Sequence, residues 1–276
     1  MNTTMAIAYD FDGTLAHGNM QEHSFIPQLE IDKDEFWKEV NVIAKDNDMD
    51  QILAYMYLML DKATKKKVRV KKEDFNMHGR DVEFFDGVEK WFDNINEYAK
   101  NKQINIEHYV ISSGLREMIE GTSIYKKFEH VFASGYKYDH HGIAEYPALA
   151  INYTTKTQYL FRINKGIKNS WENSKINEYI PDNKRAIPFK HMIYIGDGDT
   201  DIPAMKMVNY QGGKSIAVYK KNAKKKYTHK AAKKLVEEGR ATICAEANYL
   251  PNSDLDKSVK GMIDQITVDI MLNKMK

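Results

Sequence analysis

Two pairs of closely spaced aspartates are the residues of this sequence best suited to chemistry. Asp10 and Asp12 follow a short apolar run in AIAYDFDGTL, and Asp197 and Asp201 follow a similar run in HMIYIGDGDTD. Neighbouring carboxylates repel each other, by roughly 4 kcal/mol at about 4 Å and an effective dielectric constant near 20. A metal ion, a lysine or a shared proton must therefore offset this repulsion.

Carboxylates at two strand ends have the chemistry of a phosphoryl-transfer site. Mg²⁺ takes oxygen ligands, typically one or two carboxylates together with a substrate phosphate and several waters. A carboxylate can also attack a phosphate monoester, which divides one of the slowest uncatalysed hydrolyses into two easier steps. The residue types are thus compatible with Mg²⁺-dependent hydrolysis of a phosphomonoester.

Alternating strands and helices are predicted to position these side chains. After the opening strand, strand patterns cover residues 104–111, 131–138, 143–153, 191–195, 215–219 and 241–245, and helix patterns cover 88–98, 156–163, 202–208 and 255–271. This alternation favours an α/β fold with a doubly wound parallel sheet, that is, a Rossmann-like core. Ligands bind at the carboxyl ends of the strands in such sheets. Both aspartate pairs should therefore converge there with Ser112, at the end of its own strand, and with Lys156, at a helix start.

A helical segment interrupts this core after the first strand. Apolar residues recur at spacings of three, four and seven from Phe25 to Ile43, and apolar residues continue from Ile52 to Leu60. Such spacing is typical of amphipathic helices. The predicted domains are an α/β core of residues 1–16 and 82–276 and a small helical cap of residues 17–81.

Composition narrows the class of protein without naming a partner. The chain has 276 residues, and its 41 basic and 39 acidic side chains leave a net charge of +2, so no global field directs it to nucleic acid or a membrane. No stretch approaches the roughly 18 apolar residues of a membrane span, and the single cysteine, Cys244, cannot form an internal disulfide. We expect a cytoplasmic protein. The lysine-rich stretch 220–226 is interpreted as a solvated loop and helix start.

The order of the motifs resembles a known family. DFDGT, then an apolar strand ending in Ser112, then Lys156, then GDGDTD resembles the four signature motifs of the haloacid dehalogenase superfamily of phosphohydrolases. The resemblance spans residues 6–201. The helical insertion between the first two motifs resembles the cap of the phosphoserine phosphatase-like group. A phosphatase that acts on a small phosphorylated molecule is therefore expected.

This resemblance implies a role for each motif residue. Asp10 is expected to be the nucleophile that forms an aspartyl-phosphate. Asp12 is expected to be the general acid that protonates the leaving oxygen and later activates water. Ser112 should hydrogen-bond the transferring phosphoryl oxygens, and Lys156 should neutralise them.

The resemblance also implies Mg²⁺ as the cofactor. Asp10, Asp197 and the main-chain carbonyl of Asp12 are the expected ligands. Asp201 is expected beside them, where it holds a metal-bound water or orients the phosphate-binding lysine. Asp199 is expected to face solvent and is left out of the metal site.

Several alternatives stay open at this point. Lys165, which precedes a glycine, competes with Lys156 for the phosphate-neutralising role, although Lys156 starts a helix directly after a strand. Phosphomutases share the motifs, and a regulatory protein that binds Mg²⁺ and phosphate without turnover would keep some of them. The cap acid of phosphoserine phosphatase corresponds to Asn19 here, with Glu22 offset, so the sequence does not identify phosphoserine as the substrate.

Overall fold

The computed structural model describes residues 3–221, 223 and 228–275, and a seven-stranded sheet forms its centre. The strands are β1 (Thr3–Tyr9), β2 (Ile104–Leu115), β3 (His130–Tyr138), β4 (Ala144–Leu149), β5 (Met192–Gly196), β6 (Lys214–Tyr219) and β7 (Ile243–Glu246). Their order is β4-β3-β2-β1-β5-β6-β7, and every neighbouring pair is parallel except β3 with β4. The predicted doubly wound, mostly parallel sheet is confirmed.

Eleven α-helices among the described residues cover or extend this sheet. They are α1 (Phe25–Gln28), α2 (Lys33–Asp46), α3 (Gln51–Lys66), α4 (Lys72–Gly79), α5 (Val88–Lys100), α6 (Arg116–Glu120), α7 (Thr155–Lys165), α8 (Asn173–Asn177), α9 (Ile202–Tyr210), α10 (His229–Glu237) and α11 (Asp254–Lys274). Within the part of the chain that the structure describes, no helix has the length and apolar character needed to cross a membrane.

The two faces of the sheet pack against different helices because side chains alternate along a strand. On β1, Ile7 and Tyr9 join the core cluster that includes α5 and α11, whereas Ala6 and Ala8 join the cluster that includes α7 and α9. The small side chains of Ala6 and Ala8 allow close packing on that second face. Asp10 continues the alternation of Ala6 and Ala8, so its carboxylate emerges beside α7.

Helices α1 to α4 form the predicted insertion between β1 and α5. The side chain of Asp32 caps the N-terminus of α2 by accepting hydrogen bonds from two main-chain N–H groups, and that of Asp50 does the same for α3. The chain leaves and re-enters the core at adjacent points, since Ala16 and Phe84 form an antiparallel bridge. The domain boundaries at residues 17 and 81 stay a prediction.

The insertion is closed against the carboxyl end of the sheet by hydrogen bonds. The Tyr55 hydroxyl donates to the main-chain oxygen of Ser113 at 2.7 Å. In the other direction, the Tyr136 hydroxyl of β3 donates to the main-chain oxygen of Met56 at 2.7 Å. The insertion therefore contacts the end of β2, where its register with β3 shifts, and β3 itself.

The structure differs from the sequence-based expectation mainly at element ends. β2 continues to Leu115 because its pairing with β3 resumes there after a register shift that begins at Ser112. β4 ends at Leu149 instead of 153, since Asn152 and Thr155 exchange hydrogen bonds that turn the chain into α7. β7 covers Ile243–Glu246 rather than 241–245. In the lysine-rich stretch 220–226, residues 222 and 224–226 lie outside the described residues.

Candidate active site

The nucleophile candidate Asp10 lies one residue beyond β1, between the ends of β2 and β5. Its main-chain N–H donates to the oxygen of Ile195 at 2.9 Å, which continues the pairing of β1 with β5. The Lys156 ammonium, in the first turn of α7, lies 3.0 Å from Asp10 Oδ1. Both side chains are buried. A buried carboxylate thus meets a buried cation at the carboxyl end of the central strands.

Asp201 holds this lysine in place. Its Oδ1 accepts hydrogen bonds from Lys156 Nζ at 2.7 Å and from the Tyr194 hydroxyl at 2.7 Å. Its Oδ2 accepts from the main-chain N–H groups of Asp197 at 3.2 Å and Gly198 at 3.3 Å. Because both oxygens are engaged, Asp201 serves to orient Lys156 and the loop after β5.

Asp197 has one oxygen held and one oxygen free of protein partners. Thr14 Oγ1 donates to Asp197 Oδ1 at 3.2 Å. Asp197 Oδ2 is buried without a hydrogen-bond partner among the described residues. An unpaired buried carboxylate oxygen is costly, so a ligand is expected there.

Gly13 provides the space that this free oxygen occupies. A Cβ at Gly13 would lie 2.3 Å from Asp197 Oδ2, and its φ of +76° is in the left-handed region that favours glycine. The DFDGT turn therefore brings its backbone directly against the second aspartate pair.

The carboxylates together fit a divalent cation. One oxygen from each of Asp10, Asp197 and Asp201 can be chosen so that the three lie within 4.8 Å of one another. Among the described residues, Lys156 is the single cation paired with this group, so the acidic charge there exceeds the basic charge. The all-oxygen donor set and the unpartnered Asp197 Oδ2 match the ligands that Mg²⁺ prefers.

The pKa values show the same excess of negative charge. Burial, followed by the charge of Asp201, raises the pKa of Asp10 to about 7 despite the opposing effect of Lys156. Burial and the charges of Asp201 and Asp10 also raise the pKa of Asp197. Burial alone would lower the pKa of Lys156, but Asp10 and Asp201 raise it above its usual range. The lysine stays charged while the carboxyls resist ionisation without a further cation.

Asp12 lies at the edge of this group and faces the insertion. Its Oδ1 accepts a hydrogen bond from the main-chain N–H of Met20 at 2.9 Å. Burial first, and then the charge of Asp10, raises the pKa of its carboxyl well above the ordinary value. A raised pKa keeps a carboxyl protonated and therefore able to donate a proton.

Three further residues considered for the site, Ser112, Lys165 and Asp199, lie in different parts of the structure. Ser112 is buried at the end of β2, where its Oγ accepts a hydrogen bond from the Gly114 N–H at 3.0 Å. Lys165 lies at the far end of α7 and donates to the main-chain oxygens of Ile176 and Glu178 at 2.5 and 2.7 Å. Asp199 is exposed. The geometry thus brings Lys156, and not the alternative Lys165, to the acidic group.

Comparison with known proteins identifies the family. The model of the haloacid dehalogenase-like hydrolases matches residues 7–206, which is most of the chain. The chain belongs to this family. A protein of Borreliella burgdorferi (strain ATCC 35210 / DSM 4680 / CIP 102532 / B31), named only as uncharacterised, is 34% identical over 278 residues, with 91% of this chain and 93% of that protein covered.

Solved structures with the same fold include phosphoserine phosphatases. A substrate-bound phosphoserine phosphatase complex has a TM-score of 0.56 at 17% identity, with 95% of this chain and 100% of that chain covered. A phospho-aspartyl intermediate analogue of phosphoserine phosphatase has a TM-score of 0.53 at 17% identity, with 94% and 99% covered. The predicted phosphoserine phosphatase-like architecture of this haloacid dehalogenase-like hydrolase is confirmed at the level of the fold.

Sequence reasoning missed some residues that position the site of this hydrolase. Thr14 has no role among the sequence-based predictions, yet it holds Asp197, and the Tyr249 hydroxyl donates to its main-chain oxygen at 2.8 Å. Tyr194 belongs to an apolar run in the sequence, yet its hydroxyl holds Asp201. A hydroxyl two residues after Asp12 is the signal available in the sequence for Thr14. No sequence signal connected Tyr249 to the site.

Proposed function

We propose that this protein is a Mg²⁺-dependent phosphatase that hydrolyses a small phosphomonoester, with Asp10 as the nucleophile. One observation carries the proposal. The buried Asp10 carboxylate lies 3.0 Å from Lys156 Nζ, in the same acidic group as the unpartnered Asp197 Oδ2, at the carboxyl end of the central strands. Membership of the haloacid dehalogenase-like hydrolases supports the same chemistry.

In the first step, an Asp10 carboxylate oxygen attacks the phosphorus atom of the substrate. A bond forms between this oxygen and phosphorus, and the bond between phosphorus and the alcohol oxygen of the substrate breaks. Asp12 gives its proton to the departing oxygen, so that an alcohol leaves. The raised pKa of Asp12, caused by burial and the charge of Asp10, supports its assignment as this acid.

In the second step, water replaces the enzyme on phosphorus. The Asp12 carboxylate, now without its proton, accepts one from the attacking water. The water oxygen bonds to phosphorus and the acyl-phosphate bond to Asp10 breaks, which releases inorganic phosphate and restores both side chains.

Lys156 and Ser112 are proposed to bind the transferring phosphoryl group, and Asp10, Asp197 and the main-chain carbonyl of Asp12 to hold Mg²⁺. When bound, Mg²⁺ supplies the positive charge that cancels the repulsion between Asp10 and the anionic phosphate. Asp201 is a positioning residue, since its oxygens hold Lys156 and the loop after β5.

The helical insertion is proposed to act as a cap of residues 17–81 on a core of residues 1–16 and 82–276. Its hydrogen bonds to the end of the sheet place Tyr55 beside the loop that follows Ser112. A closed cap excludes water from the site and selects the alcohol that leaves. We also propose a cytoplasmic location, on the sequence ground that Cys244 is the single cysteine.

The test is phosphate release from an aryl phosphate and from a panel of small phosphomonoesters, with and without Mg²⁺. We expect turnover that needs the metal. Asp10→Asn should lower kcat by at least roughly 1,000-fold, because the nucleophile is removed, with the thermal unfolding transition retained.

Asp199→Asn is the matched control, since it makes the same chemical change at an exposed neighbouring position. It should keep nearly full activity. Turnover by Asp10→Asn would remove the nucleophile assignment. Formation of a phosphoenzyme that passes its phosphoryl group to a second alcohol, without release of phosphate, would replace the phosphatase with a mutase.

A further inference from the structure

Three uncharged polar residues lie in the segments that contact Asp12 where the insertion meets the sheet. Gln21 follows Met20, whose N–H binds Asp12 Oδ1, and the Tyr55 hydroxyl donates to the main-chain oxygen of Ser113. A Cβ at Gly114, the residue after Ser113, would lie 2.9 Å from Asp12 Oδ2. We call Gln21, Tyr55 and Ser113 the neutral wall.

Two polar atoms of the neutral wall are buried without partners among the described residues. They are Gln21 Oε1 and Ser113 Oγ. The whole Gln21 residue is only 1% exposed. Buried polar atoms are rarely left without a hydrogen bond, so an amide oxygen and a hydroxyl in this position indicate a ligand that brings its own polar hydrogens.

The neutral wall adjoins two acids, Asp12 and Glu22, the residue after Gln21. The Glu22 carboxylate already accepts from Asn19 at 2.6 Å and from Trp37 at 2.8 Å. Six cations of the insertion form ion pairs with acidic residues: Lys33, Lys62, Lys65, Lys66, Arg69 and Lys72. Lys156, the cation of the site, is held by Asp10 and Asp201.

This charge pattern disfavours a substrate whose alcohol carries a carboxylate. Such a group would enter beside the acids Asp12 and Glu22, and like charges brought together in a closed site are costly. Hydroxyl groups, in contrast, both donate to Gln21 Oε1 and exchange hydrogen bonds with Ser113 Oγ.

We propose that the substrate is a phosphomonoester of an uncharged, polyhydroxylated alcohol, and that Gln21 is the residue that selects it. This inference rests on the proposed phosphatase function, because the alcohol is the leaving group of that reaction. Gln21 binds a hydroxyl of the alcohol, while Asp12 transfers the proton to the departing oxygen.

The first experiment compares kcat/KM of the wild-type protein for four probes in the presence of Mg²⁺. They are glycerol 3-phosphate and glucose 6-phosphate as polyol phosphates, phosphoserine as a carboxylated one, and phosphocholine as a cationic one, with an aryl phosphate as reference. We expect a polyol phosphate to exceed both charged-alcohol probes by at least roughly 10-fold. Preference for phosphoserine or for phosphocholine would overturn the inference and leave the proposed phosphatase function intact.

The second experiment tests Gln21 through the ratio of two kcat/KM values measured on the same variant. Partial loss of folded protein lowers both values equally and leaves their ratio unchanged. Gln21→Leu should lower the ratio of kcat/KM for the best polyol phosphate to kcat/KM for the aryl phosphate by roughly 5- to 100-fold, mainly through KM, because a buried partner is lost. Gln28→Leu makes the same change at an exposed position of the insertion and should leave the ratio unchanged.

An unchanged ratio in Gln21→Leu would remove Gln21 from substrate selection and overturn the inference. If no probe, including the aryl phosphate, is hydrolysed in the presence of Mg²⁺, the proposed function fails and the inference falls with it. The aryl phosphate thus separates failure of the chemistry from failure of the assigned substrate class.

Discussion

The two sides of the site differ in how completely their polar atoms are paired. On the core side, the two oxygens of Asp201 accept four hydrogen bonds, and Lys156 contacts two carboxylates. On the side of the insertion, Gln21 Oε1 and Ser113 Oγ are buried without partners among the described residues. Apart from Asp197 Oδ2, which is also unpartnered among the described residues and is proposed to bind Mg²⁺, the groups proposed for phosphoryl transfer are held by protein contacts, while the groups proposed to meet the alcohol are not.

The largest effect should follow from removal of the cation on the core side. Lys156→Met leaves Asp10 and Asp201 buried without a counter-charge, which should lower the free energy of unfolding by about 3–5 kcal/mol and abolish phosphate release. Chemical denaturation and an aryl phosphate assay measure the two losses. Lys165→Met is the control, since Lys165 contacts main-chain oxygens at the far end of α7. Equal loss of activity in both variants would contradict the special position of Lys156.

Mg²⁺ should stabilise the protein more at neutral pH than in acid. The raised pKa of Asp10, about 7, means that the metal-free protein loses stability as pH rises from the ordinary carboxyl pKa near 4 toward 7. A bound cation replaces the protons, so Mg²⁺ at about 100 times its Kd should add about 2.7 kcal/mol. Thermal unfolding at pH 5 and pH 8, with and without Mg²⁺, measures this. A larger gain in Tm at pH 5 would contradict it.

A side chain at Gly13, in the turn after Asp12, should disturb Asp197. In Gly13→Ala, the new Cβ would meet Asp197 Oδ2 at 2.3 Å and would occupy a left-handed backbone conformation. We expect a loss of about 1–2 kcal/mol of stability from the backbone and a weaker metal dependence from the displaced carboxylate. Gly142→Ala is the control, because Gly142 has a similar φ of +76° with no atom within 4 Å of its Cβ position. An unchanged Mg²⁺ titration in Gly13→Ala would show that Asp197 is not a ligand.

The smallest loss of stability should follow from removal of the hydrogen bond between Tyr55 of the insertion and Ser113 of the core. Tyr55→Phe removes the hydrogen bond to the Ser113 main-chain oxygen and should cost about 1 kcal/mol, or a few degrees in Tm. Tyr57→Phe, at a residue that is 50% exposed, should leave Tm unchanged. A Tm for Tyr55→Phe equal to that of the wild type would show that this bond does not hold the insertion closed.

Much of the site was predictable because it depends on where parallel strands end. Asp10 and Asp197 follow β1 and β5, which are neighbours in the sheet, and Ser112 lies near the end of β2 on the other side of β1. The carboxyl ends of neighbouring parallel strands lie at one edge, so residues far apart in sequence meet there. Lys156 lies in the first turn of α7, and its ammonium group contacts Asp10.

The ends of elements were less predictable because hydrogen bonds to distant residues decide them. β2 runs past its predicted end since its pairing with β3 resumes at Leu115 after a register shift. β4 stops early because the hydrogen bonds between Asn152 and Thr155 turn the chain toward α7. The strand propensity of the local residues predicts neither the late end of β2 nor the early end of β4.

The sequence by itself determined the fold class, the helical insertion and the acidic group, because apolar periodicity and strand-end carboxylates are local patterns. Only the tertiary structure decided between Lys156 and Lys165, since both occupy the same helix and only one end of it reaches Asp10. It also showed that Gln21 Oε1 and Ser113 Oγ, in the segments that contact Asp12, have no hydrogen-bond partner within the described part of the chain. Whether a polar atom finds a partner depends on what other segments bring to it, and the order of residues along a chain does not contain that information.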